Sequence, residues 1–198
     1  MKTNTIILHL RARLMDENID ELKISDEFLL DCIKAHQNKL IAEFDQNITR
    51  QEFALKDEKR IKLQFEIVKI ITAFLNGKEL LLTSQSYALK HLDDELALMM
   101  INPLEFELSR ASSGTLLFYA CKKAELNNKA DKLVLNPAFL NALVYSVLID
   151  ALGIENNAVN LQRAQFYLGL LQKEKEYLRG FYANLTNKTG LRSLYVKV

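Results

Sequence analysis

Catalysis and metal binding need particular side chains brought close together, and their spacing in the sequence is the first sign of either. His9, His36 and His91 fall on three separate predicted helices. A metal site usually draws ligands from one short stretch, and none of these histidines has a partner at ligand spacing. Cys32 and Cys121 stand far apart and form neither a zinc nor a redox pair. Asp93-Asp94-Glu95 has the charge to hold a cation, but an acidic triplet on a helix is ordinarily a solvated face. Asn76-Gly77-Lys78 lacks the upstream glycine of a phosphate loop. Ser112-Ser113-Gly114 reads as a turn, not as the Gly-x-Ser-x-Gly of a nucleophile elbow. Glu105 and Glu107 alternate along a predicted strand and share its wet face. The expectation is a non-enzyme with no catalytic residue, no cofactor and no metal.

The strongest elements lie in the last third. Asn136 is a good N-cap and Pro137 suits the first helical position, where its missing N–H costs nothing. Leu140, Val144, Val147, Leu148 and Ala151 then share one face, which Leu143 and Leu152 broaden. So little of the surface is polar that this helix, 137–152, must be buried on more than one side. Gly153 is its stop. Burying four such aliphatic side chains contributes roughly 6–12 kcal/mol before entropy.

A second helix, 160–182, follows a polar turn, with Asn160 as its cap. Leu161, Ala164, Leu168, Leu171 and Leu178 form one stripe, and Phe166, Leu170, Tyr177 and Phe181 another. One stripe can pack on the preceding helix. The other needs the rest of the chain or a neighbouring subunit.

Earlier in the chain, a short helix over 4–15 carries Ile7, Leu10 and Leu14 on one side, with Arg11 and Arg13 opposite. Ser25 caps a second helix, 26–45, whose buried face is Leu29, Cys32, Ile33, His36, Leu40 and Phe44. Residues 50–121 form a sheet region. Phe53–Leu55 and Ile61–Leu63 make a hairpin about the charged turn 56–59. Asn76-Gly77 suits a type I′ turn between strands 65–74 and 79–83. An inserted helix spans 87–100, followed by strand 104–108, a turn at 109–114, and strand 115–121 covered on both faces. The predicted class is α+β, mostly helical: an N-terminal helix pair, a small antiparallel sheet with an inserted helix, and a C-terminal pair of long helices. Residues 1–183 form a single domain, and 184–198 a basic C-terminal extension.

Composition sets limits. A chain of 198 residues, 49% hydrophobic and 26% charged, is long enough for a true core. Its net charge of +1 gives no global attraction for nucleic acid. The N-terminus does not read as a signal peptide, and no run reaches the roughly 18 apolar residues that span a bilayer. The two separated cysteines suit a reducing compartment.

Three stretches resemble the head-to-tail adaptor proteins of tailed bacteriophages and prophages, also called head completion or connector proteins. Ile24-Ser25-Asp26-Glu27-Phe28-Leu29-Leu30 looks like that family's entry into its long helix. Asn76-Gly77-Lys78-Glu79-Leu80, a serine-rich turn and a helix are similar to its sheet region. Leu135-Asn136-Pro137-Ala138-Phe139-Leu140-Asn141-Ala142-Leu143-Val144-Tyr145 and Ala164-Gln165-Phe166-Tyr167 look like its two closing helices. The likeness covers residues 1 to about 180. The chain departs from it in having no tryptophan and few prolines in the middle region.

The resemblance implies a structural virion protein at the head–tail junction, present in the host cytoplasm during assembly. Copies form a dodecameric ring under the portal protein, extend the DNA channel and give tail or nozzle proteins their attachment surface. Packaged DNA passes through without sequence-specific binding, and no membrane is involved. Phe166, Leu170, Tyr177 and Phe181 then become a subunit contact. Lys188, Leu191, Arg192, Leu194, Tyr195 and Lys197 become a portal-docking segment. The alternative is a small nucleic-acid-binding or regulatory interaction module that uses Arg11, Arg13 and the basic tail.

Overall fold

The structure, a computed structural model, describes residues 1–16, 23–83, 96–154 and 157–189, with the backbone alone for 184–189. The sequence reading places 1–183 in one domain. The contacts group the chain into two compact units, Met1–Leu40 with Ala124–Val198, and Ile41–Lys123. The second unit is an insertion in the first.

The first unit is helical. Helix α1 (Thr3–Leu14) buries Ile6, Ile7 and Leu10. Its first N–H groups have no side-chain cap. Thr3 and Asn4 donate instead to the carbonyls of Asp131 and Lys129, at 2.9 Å each. Helix α2 (Asp26–Glu43) is capped by the Ser25 hydroxyl, which accepts from Phe28 N at 3.1 Å. Within this unit it buries Leu29, Cys32, Ile33, His36 and Leu40.

A 3-10 turn (Pro137–Phe139) precedes helix α3 (Leu140–Gly153), and Asn136 Oδ1 caps it by accepting from Ala138 N at 3.0 Å. Helix α3 is buried on several sides, through Ala142, Leu143, Val144, Val147, Leu148, Ala151 and Leu152. Leu140 is only half-buried. Helix α4 (Ala158–Thr189) is 32 residues long and outruns its predicted span at both ends. Asn157, not Asn160, caps it, accepting from Asn160 N at 2.8 Å.

The second unit is built on two long strands. Strand β1 (Ile48–Lys62) pairs antiparallel along its length with β6 (Glu105–Lys122). The other edge of β6 takes β2 (Ile67–Leu75) at one end and β5 (Ala97–Asn102) at the other. Asn76 and Gly77, at φ 52 and 80, turn β2 into β3 (Lys78–Glu79) in the left-handed conformation their residue types favour. The chain then leaves β2. The next strand, β4 (Leu81–Thr83), lies parallel to β5. Phe106 and Phe118 meet edge to face at 4.8 Å in the core, and Phe53 stacks on Phe118 at 5.8 Å.

These observations correct the expected fold. The described residues hold four helices and a six-stranded mixed sheet nearly closed into a barrel, with 45% helix and 34% strand. A third of the chain in strands excludes a mostly helical protein with a small antiparallel sheet and a long helix pair at its end. The charged stretch 56–59 and the serine-rich stretch 109–114 read as turns, yet both are strand. They supply each other's partners, with Glu58 opposite Ser112, and register shifts on either side of Glu58 absorb the irregularity. Ala97–Asn102, the end of the expected inserted helix, is strand β5 because Leu98 and Met100 pair with Leu108 and Phe106. The rest of that predicted helix, with His91 and Asp93-Asp94-Glu95, lies mostly outside the described residues. In 115–121 one face is fully buried, through Leu116, Phe118 and Ala120, while Leu117 and Tyr119 are half-buried.

Candidate assembly surface

Helix α4 carries the surface that most needs a partner. Its packed face looks to α3 and the turn before it. Leu178 is fully buried, Tyr167 stacks on Tyr145 at 5.9 Å, and Tyr182 stacks on Phe139 at 5.4 Å. Arg163 Nη2 donates to the Arg13 carbonyl at 2.7 Å and pins the first turns of α4 to the end of α1. Burial raises the Tyr182 phenol above its ordinary value.

The predicted contact stripe lies beside that face. Phe166 and Tyr177 are each 64% exposed and Phe181 42%, while Leu170 is half-buried. The rings are braced. Phe166 meets Tyr167 edge-on at 5.6 Å, Phe181 meets Tyr182 edge-on at 5.4 Å, and Tyr177 stacks on Phe181 at 6.3 Å. Each exposed ring thus leans on another ring, so docking against this shelf orders few additional torsions.

The first sequence stripe does not stay together. Leu178 is buried and Leu171 and Ala164 are half-buried, but Leu161 is 56% exposed and Leu168 46%. At 100° per residue Leu161 and Leu168 stand about 80–100° round the helix from Leu178, which carries them off the packed face. Of the expected docking segment, Lys188 lies within α4, which runs to Thr189, rather than in an extension. Leu191, Arg192, Leu194, Tyr195 and Lys197 lie outside the described residues.

The polar clusters are structural in geometry. Arg11, expected on an open side, is 7% exposed. Its Nε donates to Asp26 Oδ1 at 3.0 Å, Nη1 to Asp16 Oδ2 at 2.9 Å, and Nη2 to the Ile24 carbonyl at 3.0 Å and to Asp26. Lys129 also bonds Asp26. Arg11 is therefore committed inside the first unit rather than presented to a phosphate backbone, and no sequence spacing links it to Asp26.

His36 Nε2 lies 2.7 Å from Asp150 Oδ2 and ties α2 to α3. Cys32 sits one turn before it. Burial first, then the charges of Asp150 and Asp31, push its thiol up to about 11, so it is protonated at neutral pH and is no nucleophile. Burial and Asp45 push Cys121 to about 11 as well. Glu107 is not on a wet face but 7% exposed, bonded by Lys59 at 2.8 Å and Arg60 at 3.2 Å. The Lys59 hydrogen bond, with Arg60 beside it, holds its carboxyl below the usual range. Among the described residues no group of three or more His, Cys, Asp or Glu stands close enough to hold a metal ion. No helix among them is long and apolar enough to cross a membrane.

No protein-family model matches the chain, and no curated protein matches it at a significant level.

Proposed function

We propose that this chain is a structural head-to-tail adaptor of a tailed phage or prophage. In this reading copies form a ring, a dodecamer in the family it resembles, under the portal protein. The ring extends the DNA channel and offers tail or nozzle proteins their attachment surface. The observation that carries the reading is the aromatic shelf of α4, where Phe166, Tyr177 and Phe181 stand open on a helix firmly held along its other side. Burying such side chains against a partner is worth about 1.5–3 kcal/mol each, which a repeating contact collects in every copy. The net charge of +1 suits a channel wall, since strong phosphate binding would hinder passage of DNA.

The patterns at Ile24–Leu30, Leu135–Tyr145 and Ala164–Tyr167 support the family assignment. The middle pattern does not, because its expected helix ends in strand β5. Portal docking falls to Lys188, Leu191, Arg192, Leu194, Tyr195 and Lys197, and places the protein at the head–tail junction of the virion.

Co-expression with the portal protein of the same genome, followed by size exclusion and negative-stain imaging, tests the reading. The expected result is a co-eluting ring with an added layer beneath the portal. Separate elution as a folded monomer overturns it, and a DNA titration across salt then tests the nucleic-acid alternative. A chain ending at Thr186 is expected to fold and to lose portal binding. Retained binding removes the tail assignment.

A further inference from the structure

We propose that the free chain pairs with a second copy of itself through the outer edge of β1, antiparallel and about a two-fold axis at Gln51. Strand β6 takes one edge of β1, and among the described residues no strand takes the other. An unpaired edge is a row of backbone donors and acceptors that templates another strand. The second half of β1 is protected against this. Asp57 sits at φ 59, register shifts flank Glu58, and Lys56, Lys59, Arg60 and Lys62 charge the strand. The first half is not. Ile48 to Leu55 run in unbroken register against Cys121 to Gly114, with no proline, lysine or bulge among them. Phe53 stacks on the core ring of Phe118, yet Thr49, Gln51 and Phe53 are only half-buried, as befits a strand lacking its second neighbour.

The side chains select the register. Ile48, Arg50, Glu52 and Ala54 share the exposed face. An axis at Gln51 sets Arg50 opposite the partner's Glu52 and Glu52 opposite the partner's Arg50. Ile48 then meets the partner's Ala54, and Thr49 the partner's Phe53. Arg50 and Glu52 already touch within the strand at 3.5 Å, both more than half exposed. The pairing keeps that contact and adds a second across the strands, so four charges of alternating sign form a square. The groups can serve both contacts, because a guanidinium carries several N–H donors and a carboxylate several acceptor sites. Moving the axis to Arg50 or to Glu52 sets like charges face to face, which is destabilising. The matched register joins the two copies into one continuous sheet with about six to eight new backbone hydrogen bonds.

This goes beyond the ring reading and does not rest on it. A ring repeats a heterologous contact, whereas a two-fold contact closes at two copies. The pairing belongs to the chain before it meets a portal, and it covers an edge that would otherwise template aggregation.

Analytical ultracentrifugation of the full chain, without a portal protein, tests the pairing. The expected result is a monomer–dimer equilibrium. Arg50→Glu and Glu52→Arg each gather four like charges at the contact, and each is expected to weaken the dimer by about tenfold or more. Far-ultraviolet dichroism should not change. An equal mixture of the two variants restores the alternation and should dimerise like the parent. Gln51→Cys faces itself across the axis and is expected to give, on mild oxidation, a disulfide-linked dimer that grows no further. Ala54→Cys faces Ile48 and should not cross-link. Cys32 and Cys121 are buried and serve as silent background. A parent that stays monomeric overturns the inference. So do single variants that dimerise as tightly as the parent, a mixture no better than either variant alone, or a cross-link from Ala54→Cys in place of Gln51→Cys.

Discussion

At the scale of single residues, the decisive group is Arg11. A guanidinium this deep is tolerable only because Asp16, Asp26 and the Ile24 carbonyl take up its N–H groups. Asp26 is shared between Arg11 and Lys129. Burial works to raise its pKa, but the hydrogen bonds from Lys129 and Arg11 outweigh burial and hold it below the ordinary 3.8. A carboxyl whose folded-state pKa is depressed contributes stability that is fully present above the unfolded value of about 3.9. That contribution is lost as pH falls through the folded value. Asp131 and Glu107 are shifted in the same direction. Stability measured by urea melts is therefore expected to fall as the pH drops below about 4. Asp26→Asn should be less stable than the parent at pH 7 and show a shallower acid slope. Parallel pH profiles for the two proteins would refute this role for Asp26.

At the scale of elements, the most constrained point in the sheet is Gly114 on β6. Its φ is +126°, and a Cβ there would stand 2.1 Å from Asn76 Oδ1. Asn76 cannot simply move, because Oδ1 accepts from Thr115 N at 2.9 Å and Nδ2 donates to the Ser113 carbonyl at 3.3 Å. Gly114→Ala is expected to cost about 1–3 kcal/mol, from backbone strain and the displaced amide together. Asn76→Gly keeps the left-handed turn and vacates the space. The double variant should thus be more stable than the sum of the single losses in thermal melts. Strict additivity would mean that the two residues do not compete for that space.

The same region marks where the sequence was readable. Asn76-Gly77 and Asn136-Pro137 were legible because a turn or a cap depends on a few adjacent residues. The serine-rich half of β6 and the charged middle of β1 were not, because each becomes strand only by pairing with the other across more than fifty residues. Leu96 and Met99 mimic helical spacing in a run too short to separate the two periods. In α4 the Phe166, Leu170, Tyr177 and Phe181 stripe was plain from its four, seven and four spacing. The exposure of Leu161 and Leu168 was hidden because spacings of three, four and seven gather them into one broad stripe with Leu178, though they stand about 80–100° round the helix from it.

At the scale of the whole molecule, the chain leaves the helical unit after Leu40 and returns at Ala124. Asn38 closes that gap. Its Oδ1 accepts from Ala124 N at 2.8 Å, and its Nδ2 donates to the Ala124 carbonyl at 3.0 Å and to the Lys34 carbonyl at 2.9 Å. One amide therefore binds the departing helix to the returning chain, as a backbone pairing would. The inserted unit has a core of its own, with Leu55, Ile67, Leu98, Phe106, Leu116 and Phe118 in one cluster. The helical unit keeps α3, α4 and the Arg11 network among its own residues. Replacing 41–123 by a linker of about five glycine and serine residues spans the short gap that Asn38 bridges. The product is expected to be helical by circular dichroism and to melt cooperatively. Asn38→Ala in this shortened chain should lower the melting temperature by several degrees, since two orphaned backbone groups at Ala124 lose their partner. A shortened chain without a cooperative transition would show that the helices depend on the inserted unit to fold.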